Sequence, residues 1–331
     1  MFLLIPLVAV VPGLLLLVYF NARQEYHLSA ELVWNAVLLG AAVSVLAVAL
    51  ELPADHAIEV IEDPYYHAVA RAFFGTSLPE ELVKFAVVYW IALRHEDYGR
   101  PVDALVLSVA VALGFATFEN LLYLIQSDDW SRTATARAMT AVPSHVINGM
   151  LMGYFLGRAH LKPELASLFR CLALAVPILN HGFYDLPLFL IDALHREVGP
   201  EAAGLSLPFI AAFAGVIGLG SLIALVCWAD LLRRDARDAA ARDLPFAIAR
   251  LPETLRRWEG RLWLLVGGGL ALFRLFTGLI GFVFPVSGAP RWAALYPQYF
   301  LLASSILPFS FGAAMLVHGL AQLRQARRAP A

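Results

Sequence analysis

Charge is scarce in this sequence: only 15% of its 331 residues are Asp, Glu, Lys or Arg, against about a quarter in an ordinary soluble chain. Water would not support a 60% apolar composition spread over a chain this long, and a mean hydropathy of +0.71 excludes a conventional soluble domain. Cysteine is nearly missing as well. Cys171 and Cys227 are the two present, each inside an apolar run and without metal-site spacing. That excludes a disulfide framework and a cysteine metal cluster. The formal net charge of -2 gives no electrostatic basis for binding nucleic acid. Internal repeats and low-complexity tracts are also absent.

What the sequence does have is long apolar runs, which read as transmembrane helices. The expected fold is all-α, a polytopic bundle of about nine spans near 2–20, 32–51, 78–94, 101–126, 138–157, 168–190, 206–229, 261–284 and 299–321. Lys and Arg concentrate in alternate connections, with eight arginines between 233 and 261. The positive-inside rule then places the N-terminus outside and the C-terminus inside. Four regions follow. Residues 1–51 hold the first two spans, and 52–77 form an acidic outer connection that would be an interfacial helix or a lid. Residues 78–192 hold spans three to six as a catalytic core. Residues 206–331 hold the last three spans, with a basic inner loop over 230–260 that would meet anionic headgroups. The expected location is a bacterial or archaeal plasma membrane.

An ionisable group inside a span costs several kcal/mol unless it is paired. The middle spans nevertheless hold many: Glu80, Glu81 and Lys84; Glu119 with Asn120; His145 with Asn148; Asn180, His181 and Asp185. With a rise of about 1.5 Å per residue and alternating directions, these groups come to a common depth in the outer half of the membrane. Glu80 and Lys84 share a helix face at i,i+4, as do His181 and Asp185. His145, Gly149, Gly153 and Gly157 make a stripe at four-residue spacing, so His145 faces a closely packed neighbour. His318 and Arg274 stand alone in their spans and read as structural.

Two imidazoles and one carboxylate form a common catalytic zinc shell with one position left for water. A second carboxylate can take the proton of that water. The residues therefore suggest zinc or another divalent metal on His145, His181 and Glu119, with Glu80 or Glu81 as general base. Asp185 would orient the His181 ring, and Asn120 or Lys84 would steady the oxyanion.

Glu80-Glu81-Leu-Val-Lys84-Phe85 resembles the EExxK motif of the PrsW family of intramembrane metalloproteases, and Gly114-Phe115-Ala116-Thr-Phe-Glu119-Asn120 resembles its FAxxEN motif. His145-Val-Ile-Asn-Gly149 and His181-Gly-Phe-Tyr-Asp185 resemble its two later histidine motifs, in the family's order. The resemblance covers residues 80–185. It implies a glutamate-dependent metalloendopeptidase that clips membrane-anchored proteins, typically to release a signalling factor from an anti-sigma factor. It also implies kinship with the wider group of CAAX proteases and bacteriocin-processing proteins. Where the prenyl proteases place a histidine in the second motif, this chain has Glu119-Asn120, which argues against a prenylated substrate. The roles of the first glutamates and of Glu119 are open to exchange.

Three other readings use the same residues. A proton- or ion-coupled transporter would need a polar path across the membrane, whereas these groups form one cluster. A non-catalytic scaffold would keep the glycine stripe but has no need of two histidines and three glutamates. A metal-dependent hydrolase of lipid amides or esters would share the metal shell, and sequence barely separates it from a protease. Substrate, cleavage site and oligomeric state are not specified by the sequence.

Overall fold

The computed structural model describes residues 28–94, 99–199 and 202–241, and every regular element among them is helical. In chain order these are α1 (Ala30–Ile58), α2 (Pro64–Ala70), a π-helical segment (Arg71–Ser77), α3 (Leu78–Arg94), α4 (Pro101–Gln126), α5 (Trp130–Met139), α6 (Ala141–Leu161), a 3₁₀ turn (Pro163–Leu165), α7 (Ala166–Val198), α8 (Ala202–Leu205) and α9 (Leu207–Ala241). The chain divides into two compact units. One comprises residues 1–193 and 219–246, the other 194–218 and 247–331. In the described part of the second unit, the end of α7 leads through α8 to the start of α9, and Ser206 Oγ donates to the Ala202 carbonyl.

Four described helices are long and apolar enough to cross a membrane: Ala30–Ile58, Pro101–Gln126, the 3₁₀ turn with α7 (Pro163–Val198), and Leu207–Arg237. They match four of the six expected spans that fall on described residues. The other two, α3 and α6, are shorter or more polar, because they carry Glu80, Glu81 and Lys84 in one case and His145, Asn148 and Arg158 in the other. The expected spans 2–20, 261–284 and 299–321, most of the basic loop, His318 and Arg274 lie outside the described residues.

In the first unit α4 is the central helix. Every residue from Pro101 to Ala116 is buried, as expected of a helix that is apolar on all sides and surrounded by others. Its Leu105, Leu107, Val109, Val111 and Leu113 share one core with Leu32, Val33 and Ala36 of α1, Val88 and Ile91 of α3, Met150 and Leu151 of α6, and Leu231 of α9. The outer faces are also apolar. Leu38, Leu46 and Leu52 of α1 and Leu219, Leu222 and Val226 of α9 are exposed, the pattern of a bundle whose solvent is lipid.

Between helices in lipid the hydrophobic drive is absent, so close van der Waals packing holds them together. Two contacts depend on missing side chains. A Cβ on Gly114 would lie 1.9 Å from the Val37 carbonyl oxygen, and one on Gly40 would lie 2.1 Å from that of Val111. The α1 and α4 backbones therefore touch at their crossing. The expected glycine stripe of α6 packs on α4 in the same way, where a Cβ on Gly153 would meet Leu105 Cα at 2.3 Å.

The segment 52–77, expected as an outer connection in the form of an interfacial helix or a lid, is almost entirely helical. α1 continues through Pro53 to Ile58, and Asp63 caps α2 by accepting from the Tyr65 and Tyr66 amides. From Pro64 the helix runs without a break through the π-helical turns into α3. Asp63 with Pro64 next to it is a helix start signal. The α4–α5 connection is short. Asp129 caps α5, and the Arg132 amide (3.1 Å) and Ser131 hydroxyl (2.9 Å) hold its carboxyl below the usual carboxylate range.

Candidate active site

The π-helical segment leads directly into the Glu80–Glu81 turn. A π-turn inserts a residue into helical register and often marks a functional site. Here it places Phe73 against α7, where a Cβ on Gly182 would meet the Phe73 ring at 2.3 Å, and Phe73 meets Phe183 edge-on at 5.3 Å. Gly182, next to His181, thus lets the segment before the glutamates lie on the helix that carries the histidine. In α7, Pro177 and Pro187 bracket the polar residues. Each lacks an N–H and so removes one hydrogen bond of the helix ladder.

Lys84 is at the centre of the site. Its Nζ donates to Glu80 Oε2 at 2.9 Å and Glu81 Oε1 at 2.9 Å, and lies 3.2 Å from His145 Nδ1. The ammonium also stands over the Phe115 ring at 4.0 Å. Lys84 is 2% exposed and Glu81 is not exposed at all, so neither charge is tolerable without the other. Ligand atoms of Glu80, Glu81 and His145 lie within 4.8 Å of one another.

The two imidazoles are each flanked by a carboxylate on the far nitrogen. His145 Nε2 is 2.7 Å from Glu119 Oε2, and His181 Nε2 is 3.4 Å from Asp185 Oδ2. An ionised carboxylate only accepts, so the His145 tautomer that donates from Nε2 to Glu119 is the one that presents the Nδ1 lone pair to Lys84. His181 Nδ1 lies 2.9 Å from Glu81 Oε1 and 4.0 Å from Glu80 Oε2. The two rings meet edge-on with centroids 5.6 Å apart. Asn180 Nδ2 donates to Asn148 Oδ1 at 2.7 Å, and Asn148 Nδ2 lies 3.4 Å from Glu81 Oε1. Glu81 Oε2 is buried and has no hydrogen-bond partner.

The residues expected from the sequence thus come together: Glu80, Glu81 and Lys84 from α3, Glu119 from α4, His145 from α6, and His181 and Asp185 from α7. Asn120 joins only at the edge, through Arg137. That arginine, on α5, is the residue the sequence reading missed. Its Nε donates to Asn120 Oδ1 at 2.6 Å, its Nη2 lies 3.1 Å from Glu119 Oε2, and its guanidinium stacks 4.0 Å from the Tyr123 ring. In the sequence it is only one charge of the connection between the expected spans 101–126 and 138–157. The three-residue link 127–129 folds α5 back beside the end of α4. Glu51, half-buried late in α1, lies within electrostatic reach of Glu80, Glu119 and Lys84.

Residues 29–224 match the model of the PrsW family intramembrane metalloproteases. The chain belongs to the PrsW family of intramembrane metalloproteases. It is 34% identical over 183 residues to Protease PrsW of Halalkalibacterium halodurans, covering 55% of this chain and 82% of that protein. To Protease PrsW of Geobacillus kaustophilus it is 34% identical over 179 residues, covering 53% and 76%. To that of Bacillus subtilis it is 31% identical over 193 residues, covering 57% and 83%. No solved structure matches the chain. This PrsW family member is thus an integral membrane protein and a protease, and the matched residues include the whole polar cluster of α3, α4, α6 and α7.

Proposed function

We propose that this PrsW family member is a metal-dependent endopeptidase that cleaves membrane-anchored proteins with a glutamate-activated water, at a site in the outer half of the membrane. The position of Lys84 Nζ carries the reading. It stands among two carboxylates and an imidazole, a donor set suited to a divalent ion, with the ammonium standing in as the cation. The unpartnered Glu81 Oε2 adds a spare oxygen in the same place.

Of the two arrangements open from the sequence, the ring orientations favour the one in which a first glutamate is a ligand. His145, His181 and Glu81 would hold the ion. Glu119 and Asp185 would orient the two imidazoles from their far nitrogens, the usual second partner of a metal-binding histidine. Held there, zinc or another divalent metal would supply Lewis acidity, for a water nucleophile near neutral pH and for the scissile carbonyl. Glu80, the less buried of the two adjacent glutamates, takes the proton of the attacking water and returns it to the leaving amine. Lys84 brings positive charge to the developing oxyanion. Asn120 has its oxygen engaged by Arg137, which leaves its NH₂ as the donor for a substrate carbonyl. The substrate class follows the family resemblance: a membrane-anchored protein, with an anti-sigma factor as the signalling case.

The test uses the full chain reconstituted in vesicles with a membrane-anchored model substrate. Cleavage is expected, is lost after chelation, and returns when zinc is added. Undiminished cleavage by protein shown to be metal-free would overturn the metal-dependent reading.

Arg137 gives a milder prediction. Arg137→Ala frees Glu119 and Asn120 and is expected to lower kcat/KM about 10- to 100-fold, the usual range for partners of metal-binding groups. Arg137→Lys should recover part of the loss. Equal activity of Arg137→Ala and wild type, measured on the same substrate, would show that α5 does not support the site.

A further inference from the structure

At the opposite ends of the helices from the polar cluster lies a second group of charges. Arg158 and Lys162 end α6, and Arg234 and Arg237 lie one turn apart on α9. With Leu161 they line a cavity of about 300 Å³. Four cations and no carboxylate line it. Asp230 is the nearby counter-charge, and it is already shared: Arg234 Nε donates to it at 2.6 Å, the Tyr154 hydroxyl at 3.0 Å, and Arg158 Nη1 lies at 3.5 Å. Lys162 and Arg237 have no carboxylate partner among the described residues. Arg158 Nε is buried with no hydrogen-bond partner. An unsatisfied buried N–H costs free energy that a bound anion would recover.

Arg234 also walls a neighbouring cleft of about 440 Å³, lined on its apolar side by Val226, Cys227 and Ala229. A basic pocket that shares Arg234 with a cleft walled on one side by Val226, Cys227 and Ala229, at helix ends that the arginine distribution assigns to the inner face, matches a molecule with an anionic head and a hydrocarbon tail. Basic pockets between membrane helices bind phosphate-bearing headgroups in this way.

We propose that this pocket is a binding site for an anionic phospholipid. The headgroup phosphate lies among Arg158, Lys162, Arg234 and Arg237, and an acyl chain lies along Val226, Cys227 and Ala229. This proposal is independent of the protease reading.

The full chain, purified in detergent, would be titrated with phosphatidylglycerol, phosphatidylcholine or inorganic phosphate and read by native mass spectrometry. The variants are Lys162→Gln with Arg237→Gln, which break no ion pair among the described residues, and Arg132→Gln as a control at an exposed arginine of α5 that lines neither cavity. Wild type should retain phosphatidylglycerol over phosphatidylcholine. The double variant should bind phosphatidylglycerol about 30-fold more weakly, roughly fivefold per basic residue at a membrane surface. The control should bind like wild type, and millimolar phosphate should not displace the lipid. Equal retention of both lipids, or unchanged affinity in the folded double variant, would overturn the site. Displacement by phosphate at the same affinity would overturn the lipid assignment in favour of a free-phosphate site.

Discussion

Wild-type protein purified without chelator is expected to carry near-stoichiometric divalent metal, and the two adjacent glutamates are expected to separate. Glu81→Gln should lose the metal, as should His145→Ala and His181→Ala. Glu80→Gln should keep the metal and lose cleavage by about 10²- to 10⁴-fold, the span of general-base catalysis. The difference rests on position. Glu81 is completely buried, with Oε1 within reach of Lys84, His181 and Asn148 and Oε2 unpartnered. Its partners fix it as a ligand is fixed. Glu80 contacts Lys84 and retains slight exposure, as a group must if it is to reach water. Metal analysis beside an activity assay on each variant decides the assignment. Metal kept in Glu81→Gln and lost in Glu80→Gln would reverse the two roles. Metal kept in both, with loss in Glu119→Gln, would restore the arrangement in which Glu119 is the ligand. A well-folded wild type with no metal would sink all of these and bring the transporter and scaffold readings forward.

The second large effect is on folding. Gly114→Ala is expected to destabilise the bundle by about 3 kcal/mol, the upper part of the overpacking range. The added methyl would lie 1.9 Å from a backbone oxygen of Val37. Backbone cannot swing aside as a flexible side chain does, so α1 and α4 must separate. Phe115, beside Lys84, follows Gly114 directly, and Glu119 is little more than a turn further on. Separation should therefore reach the site, lowering metal content along with thermal stability. Gly215→Ala is the control. A Cβ there meets nothing within 4 Å, and replacing a helical glycine by alanine should be neutral or favourable by up to about 1 kcal/mol. Thermal unfolding in detergent compares the two. Equal stability of Gly114→Ala and wild type would show that α1 and α4 do not cross as closely as described.

The glycine stripe of α6 illustrates how much could be read from pattern. Gly149, Gly153 and Gly157 announced a tight helix contact, and α4 fills it. The pattern could not name α4 as the partner, because a small-residue stripe describes only one side of an interface. The segment 52–77 shows the reverse case. Its acidic and aromatic residues lack the long apolar run that marks a span, so the sequence left it open between an interfacial helix and a lid. Local capping by Asp63 and continuity with α3 make it helix. Arg137 was legible only as a charge outside the membrane, since nothing in its own neighbourhood reports the fold-back of α5.

By itself the sequence determined that this chain lies in a membrane, because its apolar runs have no other stable solvent. It also pointed to most of the residues that meet, Arg137 excepted, because uncompensated charge in lipid is too costly to scatter over four helices. The PrsW family membership was visible in the same motifs. Only the tertiary structure decided how those residues face one another: Lys84 at the centre, His145 and His181 each with a carboxylate on its far nitrogen, and Arg137 closing the edge. Helical spacing fixes the face on which a side chain lies. The rotation of one helix against another, and with it the nitrogen that meets each oxygen, depends on packing between residues distant in sequence.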